Sequence, residues 1–261
     1  MKTPDRANSE TPNGPVSIEI CVDSAASALA AERGGAARVE LCANLWEGGV
    51  TPSAGLIELV RSRTSIGLHV MIRPRGGDFC YSAEEFEIMQ RGILLAKKLA
   101  VDGIVLGLLN PDGSVDVERT RRLVDLARPM NVTFHRAFDT SADLFRALED
   151  ICSVGADRLL TSGAQPTALE GASTIATIVK AAHSRIAIMA GGGVRQHNVA
   201  RIMEQTGVRE IHASLKSPSA SPMIDRNPRL TLAATPANEC QNFQVLEEDV
   251  RNLRRAAAGP A

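Results

Sequence analysis

Apolar positions along the chain fall into two alternating rhythms. Short β-branched or apolar runs occur as SIEICV (17–22), RVELC (38–42), LHVMIRP (68–74), GIVLGLL (103–109), VTFHRAF (132–138), RLLTSG (158–163), RIAIMAG (185–191) and EIHAS (210–214). Between them lie longer amphipathic runs, among them AASALAAERG, SAEEFEIMQRGILLAKKLA, DVERTRRLVDLAR and SADLFRALEDICSVG. The short runs predict strands and the longer ones helices. Eight strands, each followed by a helix, is the count of a (β/α)8 barrel of TIM type. The last helix is expected in FQVLEEDVRNLRRAAA, reached only after a long loop, 217–241, rich in Ser, Pro and Asn. A loop of that length is expected to act as a lid or a subunit contact.

An internal echo supports closure. ERGGAARVELC, KLAVDGIVLG, CSVGADRLLTS and EQTGVREIHAS lead into the second, fourth, sixth and eighth strands. In each, a glycine or a small apolar residue ends the helix just before the strand, as a left-handed cap requires. A β-α-β-α unit repeated four times fits a closed barrel better than an open sheet. No G-x-G-x-x-G follows the first strand, which removes the main signal for a doubly wound nucleotide-binding sheet. The barrel is expected to occupy residues 17–257. The polar stretch 1–16 reads as a disordered tail.

Strand residues alternate between faces, and in a (β/α)8 barrel the face against the helices must be apolar. Ile18, Ile20 and Val22, then Val39 and Leu41, then Leu68, Val70 and Ile72 supply that face. The other set points inward: Glu19, Cys21 and Asp23, then Arg38, Glu40 and Cys42, then His69, Met71 and Arg73, with His135 from the fifth strand and His212 from the eighth. Charges inside a barrel must pair with one another or meet a ligand. A structural ion-pair network is one reading, with Glu19 or Glu40 against Arg73. At the carboxyl ends, where these barrels bind their ligands, Asp23, Arg73, Arg75, Asp78, His135 and Asp139 point instead to a pocket. Arg73 and Arg75 suit an anion, and Glu40 or His135 suits a general acid or base. MAGGGV (189–194) places Gly191, Gly192 and Gly193 between the seventh strand and a helix. Free backbone amides there suit a phosphate, with Ser214, Lys216 and Ser217 close by.

Composition narrows the classes. A formal net charge of −1 gives no electrostatic reason to expect nucleic acid or an anionic membrane. No apolar segment reaches the ~18 residues that span a bilayer. Five cysteines with no C-x-x-C spacing argue against a disulfide framework and a structural zinc site, so the cytoplasm is the expected compartment. Sulfur still bears on function. Cys21, Cys42 and Met71 lie on inward faces of three neighbouring strands, and thiolates at similar height on adjacent strands can converge on a soft ion such as Cu(I). The competing reading is that free cysteines simply pack.

EICVDS, ERGGAARVELC, EGGVTPS, MIRPRGGDFCYS, VTFHRAFD, RLLTSG and MAGGGV, in this order, resemble the motif set of the CutC copper homeostasis family, and SPMIDRN (221–227) is similar to a stretch the family carries after its last strand. The likeness runs over about residues 17–255. It implies a cytoplasmic barrel, a homodimer or homotetramer, linked to copper handling and without an organic cofactor. Cys21 and Cys42 match the family cysteines proposed as Cu(I) ligands, and the inward face of the third strand offers Met71 as a weak third ligand. Glu19, Asp23, Glu40, Arg73, Arg75, Asp78, His135 and Arg136 match motif positions that resemble an enzyme pocket. The alternative expectation is therefore a lyase, isomerase or hydrolase acting on a small phosphorylated or carboxylated metabolite. A purely structural barrel, its interior filled by ion pairs, is the third.

Overall fold

The computed structural model describes residues 16–223 and 242–259. Eight parallel strands close on themselves in the order β1 to β8: β1 (Ser17–Val22), β2 (Arg38–Leu41), β3 (Gly67–Met71), β4 (Gly103–Leu106), β5 (Asn131–Phe134), β6 (Arg158–Thr161), β7 (Ala187–Gly191) and β8 (Glu210–Ala213). Helices α1 (Ala25–Gly34), α2 (Ala54–Arg63), α3 (Ala83–Lys98), α4 (Val117–Ala127), α5 (Leu144–Ser153), α6 (Ala172–Ala182), α7 (Val199–Thr206) and α8 (Glu247–Ala258) form the outer ring. The expected (β/α)8 barrel is the fold.

Local chemistry sets the helix ends. Ser24, Ser53 and Ser82 accept the backbone N–H three residues on, and Ser82 with Glu85 forms a reciprocal capping box. The echo preceding the even strands corresponds to a left-handed residue each time: Gly35, Ala100, Gly155 and Gly207. Ile18, Ile20, Val22, Val39, Leu41, Leu68, Val70 and Ile72 are all buried in the layer between strands and helices.

Two local differences from the sequence reading stand out. Strand pairing stops earlier at the carboxyl ends than the apolar runs suggest. Ile72 and Leu108 stay buried beyond the last paired residue, so apolarity there reports burial of the loop rather than the ladder. Secondly, the segment before α8 opens and closes as an antiparallel ribbon, β9 (Lys216–Ser219) with β10 (Asn242–Val245). Residues 243–245, read as the start of the last helix, are strand because Phe243 packs edge-on to Trp46 at 5.2 Å and Val245 N–H donates to Ser27 Oγ. The tail 1–15 and residues 224–241 lie outside the described residues.

Candidate functional site

Strand register fixes which inward side chains meet. Glu19 of β1 stands opposite Arg38 of β2 and His212 of β8, Cys21 opposite Glu40, and Glu40 opposite His69 of β3. Room for the larger groups comes from glycines: a Cβ on Gly103 would lie 2.6 Å from the His69 ring, and one on Gly107 2.5 Å from the His135 ring.

The deepest layer is an ion-pair network. Arg38 Nε donates to Glu19 Oε2 at 2.5 Å, and its other end pairs with Glu210, which also pairs with Arg158. His212 Nδ1 meets the second Glu19 oxygen at 2.7 Å. Glu19 is fully buried. Its burial opposes ionisation, yet Arg38 and His212 outweigh this and hold the carboxyl well below its ordinary range. His69 lies in the same layer, where burial and then Arg38 push its pKa down to about 3, so its ring is neutral.

One layer up, the sulfurs converge. Cys21 and Cys42 Sγ atoms lie 3.9 Å apart, and Cys42 Sγ is 3.6 Å from Glu40 Oε2. Cys21, Glu40 and Cys42 could offer one ligand atom each to an ion, as could Glu19, Glu40 and His212. Met71, Val105 and Leu45 pack around the thiols as an apolar wall. His212 Nε2 lies 3.8 Å from Glu40 Oε2. A hydrogen bond with Cys42, then the neighbouring His212, overcome burial and lower the Cys21 thiol to about 5. The same bond and burial push Cys42 up, and burial with the adjacent Cys21 charge pushes Glu40 up. Burial works against a His212 cation, but Glu40, Cys21 and Glu19 together raise it well above its ordinary value. The layer therefore holds one thiolate against one imidazolium at neutral pH.

This arrangement has a direct spectroscopic consequence. Native protein shows the ultraviolet absorbance of one thiolate as pH rises through about 5, and Cys21→Ser removes that step. A first step only near the ordinary thiol value would contradict it.

Above the sulfurs opens a cavity of about 450 Å3, lined among others by Cys21, Glu40, Met71, Arg73, His135 and His212. Its mouth carries Arg136, Gly192, Gly193, Arg195, Ser214 and Lys216. Arg73 is 5% exposed, and its Nη atoms donate to the carbonyls of Glu47, Gly49 and Gly77. His135 is equally buried; its Nδ1 accepts the Ala137 N–H. Burial, then Arg73, push the His135 pKa down to about 3.

Other expected site residues sit elsewhere. Glu19 belongs to the deep network, below the cavity. Asp23 lines a shallow depression with Trp46, Lys216, Asn242 and Phe243. Arg75 and Asp78 lie outside the cavity lining, because Arg75 Nε bonds Glu85 at 2.6 Å and Arg75 Nη2 bonds Asp78 at 3.0 Å at the start of α3. Arg136 pairs with Asp139 at 2.7 Å and still lines the mouth. Gly191 is closed over by Leu160 and His212, whereas Gly192 and Gly193 face the cavity. Leu45, Glu47, Phe79 and Arg195 line it too and were not singled out from sequence. Only the acidic and aromatic residues crowded between LCAN and GGV, and after RPRGGD, hinted at them.

The fold and site define a class: a TIM-type barrel with a cysteine pair beneath a cationic cavity. The chain belongs to the CutC family, matched over residues 16–217. It is 47% identical over 239 residues to a CutC family protein of Chromobacterium violaceum, covering 92% of this chain and 97% of that one. It is 46% identical over 241 residues to the copper homeostasis protein cutC homolog of Mus musculus, covering 92% of this chain and 89% of that one. A crystal structure of CutC from Streptococcus agalactiae superposes with a TM-score of 0.72 at 34% identity, covering 76% of this chain and 97% of that one.

Proposed function

We propose that this chain binds one Cu(I) ion between Cys21 and Cys42, in a copper homeostasis role. The observation that carries the reading is the convergence of two buried sulfurs, 3.9 Å apart, with Cys21 lining the cavity and Cys42 directly behind it. With metal–sulfur bonds of about 2.3 Å, a trigonal site separates its sulfurs by about 4.0 Å, so the pair fits such an ion. Cys21 is already ionised at neutral pH, and thiolate is the ligand form. Met71 packs on the pair, and its soft thioether suits Cu(I) better than the Glu40 carboxyl as a third ligand. An anaerobic Cu(I) titration against a chromophoric competitor tests this, with saturation expected at one ion per chain. No competition for Cu(I) would sink it.

The reading includes a cytoplasmic setting, which the free cysteines Cys21, Cys42, Cys80 and Cys152 support. Among the described residues no helix is long and apolar enough to cross a membrane. It also includes a homodimer or homotetramer. Exposed Ile88 and Leu95, seven residues apart on one side of α3, are apolar groups that suit self-association. Sedimentation equilibrium reads the assembly directly: Ile88→Glu with Leu95→Glu yields monomer, and an unchanged mass would rule out this face.

A second reading rests on Arg73. Its guanidinium is buried beside the cavity, and its hydrogen-bond partners are carbonyls rather than a carboxylate. A buried cation whose hydrogen-bond partners among the described residues are all carbonyls favours an anion. An enzyme acting on a small phosphorylated or carboxylated metabolite, of lyase, isomerase or hydrolase type, would use such a cavity, with Glu40 or His135 moving a proton. Thermal stabilisation by such anions, lost in Arg73→Ala, supports this reading; no stabilisation by any of them removes it.

A further inference from the structure

His135 presents a donor with nothing to donate to. The ring is 5% exposed and wedged 4.9 Å from the Phe79 ring and 6.1 Å from the Phe134 ring. Its Nδ1 accepts the Ala137 N–H at 3.1 Å, which leaves the proton of a neutral imidazole on Nε2. That Nε2 is buried and has no hydrogen-bond partner among the described residues. His135 lines the cavity, and Gly107 leaves the space its ring needs. A buried donor kept without a partner is costly, and it is retained most readily where a ligand completes the bond.

Arg73 packs on the same aromatic ring. Its guanidinium lies 5.0 Å from the Phe79 centroid, and its Nε is likewise buried and unpartnered. Around the cavity Arg136, Arg195 and Lys216 add positive charge, against the Glu40 and Glu47 carboxyl groups. Gly192 and Gly193, both with positive φ, turn the backbone at the mouth.

We infer that the cavity takes a short-chain compound carrying a carbonyl oxygen close to an anionic group, with His135 Nε2–H on the carbonyl oxygen and Arg73 against the anion. The inference rests on the anion-pocket reading above and names its substrate class. A neutral imidazole N–H only donates, so its partner must accept without returning a proton, which a carbonyl oxygen does. A donor fixed in advance, in a site shielded from water, also favours charge developing on that oxygen. Both groups pack on one ring and line one cavity, so a single small ligand can meet both.

Full-length protein labelled with 15N-histidine tests this without any substitution. The probes are dihydroxyacetone phosphate, pyruvate, inorganic phosphate and uncharged dihydroxyacetone. Dihydroxyacetone phosphate or pyruvate is expected to move the His135 Nε2–H resonance, and whichever does so tells phosphate from carboxylate. It binds roughly tenfold more tightly than inorganic phosphate, the worth of one further hydrogen bond. His135→Gln, which keeps an N–H donor, retains most of that difference, and His135→Phe loses it. The inference is overturned if inorganic phosphate or uncharged dihydroxyacetone moves His135 as far as the better probe. It also falls if the anions bind while His135 stays still, an outcome that leaves the anion pocket standing. If none of the anions binds, both readings fall together.

Discussion

Cys21→Ser combined with Cys42→Ser is expected to abolish the proposed Cu(I) uptake while leaving the fold intact. In the proposed site the two buried sulfurs are the soft donors, and serine oxygens are poor partners for a soft ion. Losing supporting groups around a metal costs 10–100-fold in affinity, so losing either thiolate is expected to cost on the order of 100-fold or more. Cys21→Ser has the larger effect near neutral pH because Cys21 is the thiol ionised before the metal arrives, whereas Cys42 must lose its proton on binding. Serine is slightly smaller than cysteine and fits the same wall of Met71, Val105 and Leu45, so stability changes little beside the loss of binding. Competition titrations of the parent, both single variants and the double variant check this ordering. A double variant that still takes up one ion as tightly as the parent places the site elsewhere.

Arg38→Met is the substitution expected to damage the fold most. Arg38 is 8% exposed and bonds Glu19 and Glu210 at once, and its loss leaves the fully buried Glu19 carboxylate short of a counter-charge and Glu210 with Arg158 alone. Breaking such a pair from one side costs about 3–5 kcal/mol, because the charge left behind remains desolvated. For a domain of this length that lowers the unfolding midpoint on the order of 10 °C. The damage reaches the site, since Glu19 orients His212, and His212 helps keep Cys21 ionised. Arg91→Ala, which breaks an exposed pair with Glu87 on α3, serves as the contrast and shifts stability by less than about 1 kcal/mol. Urea unfolding of both variants decides: equal stability in the two would show that the inner network is not what holds the barrel floor.

Alternation along the strands was enough to read the barrel and to sort its faces. Ile18, Ile20 and Val22 had to meet the helices, which turned Glu19 and Cys21 inward. Height was harder to read, because alternation says which way a residue points but not how far along the axis its neighbours stand. Glu19 precedes Cys21 by two residues, and the parallel register to Arg38 and His212 puts it in the deep network rather than at the ligand face. Arg75 and Asp78 follow a strand end closely, yet the capping box of α3 supplies Glu85, which engages Arg75 away from the cavity. Glu47 and Leu45 reach the cavity by a loop that folds back through the Ala43–Val50 bridge, a contact that no periodicity announces. The β9–β10 ribbon was hidden for a similar reason: its strands are four residues long and far apart in the chain.

Copper and anion readings occupy different depths of one cavity, with the thiols below and Arg73, His135 and the Gly192–Gly193 turn around and above them. An ion reaching Cys21 must pass the cationic mouth, and an anion in the cavity would cover the sulfurs. Copper uptake is therefore expected to slow when the cavity is filled.

X-ray absorption at the copper edge of protein loaded anaerobically with one equivalent of Cu(I) tests the central claim most directly. The account predicts a first shell of two or three sulfur scatterers in the parent, and no copper retained by the double serine variant. A shell of nitrogen and oxygen alone in the parent protein would contradict it.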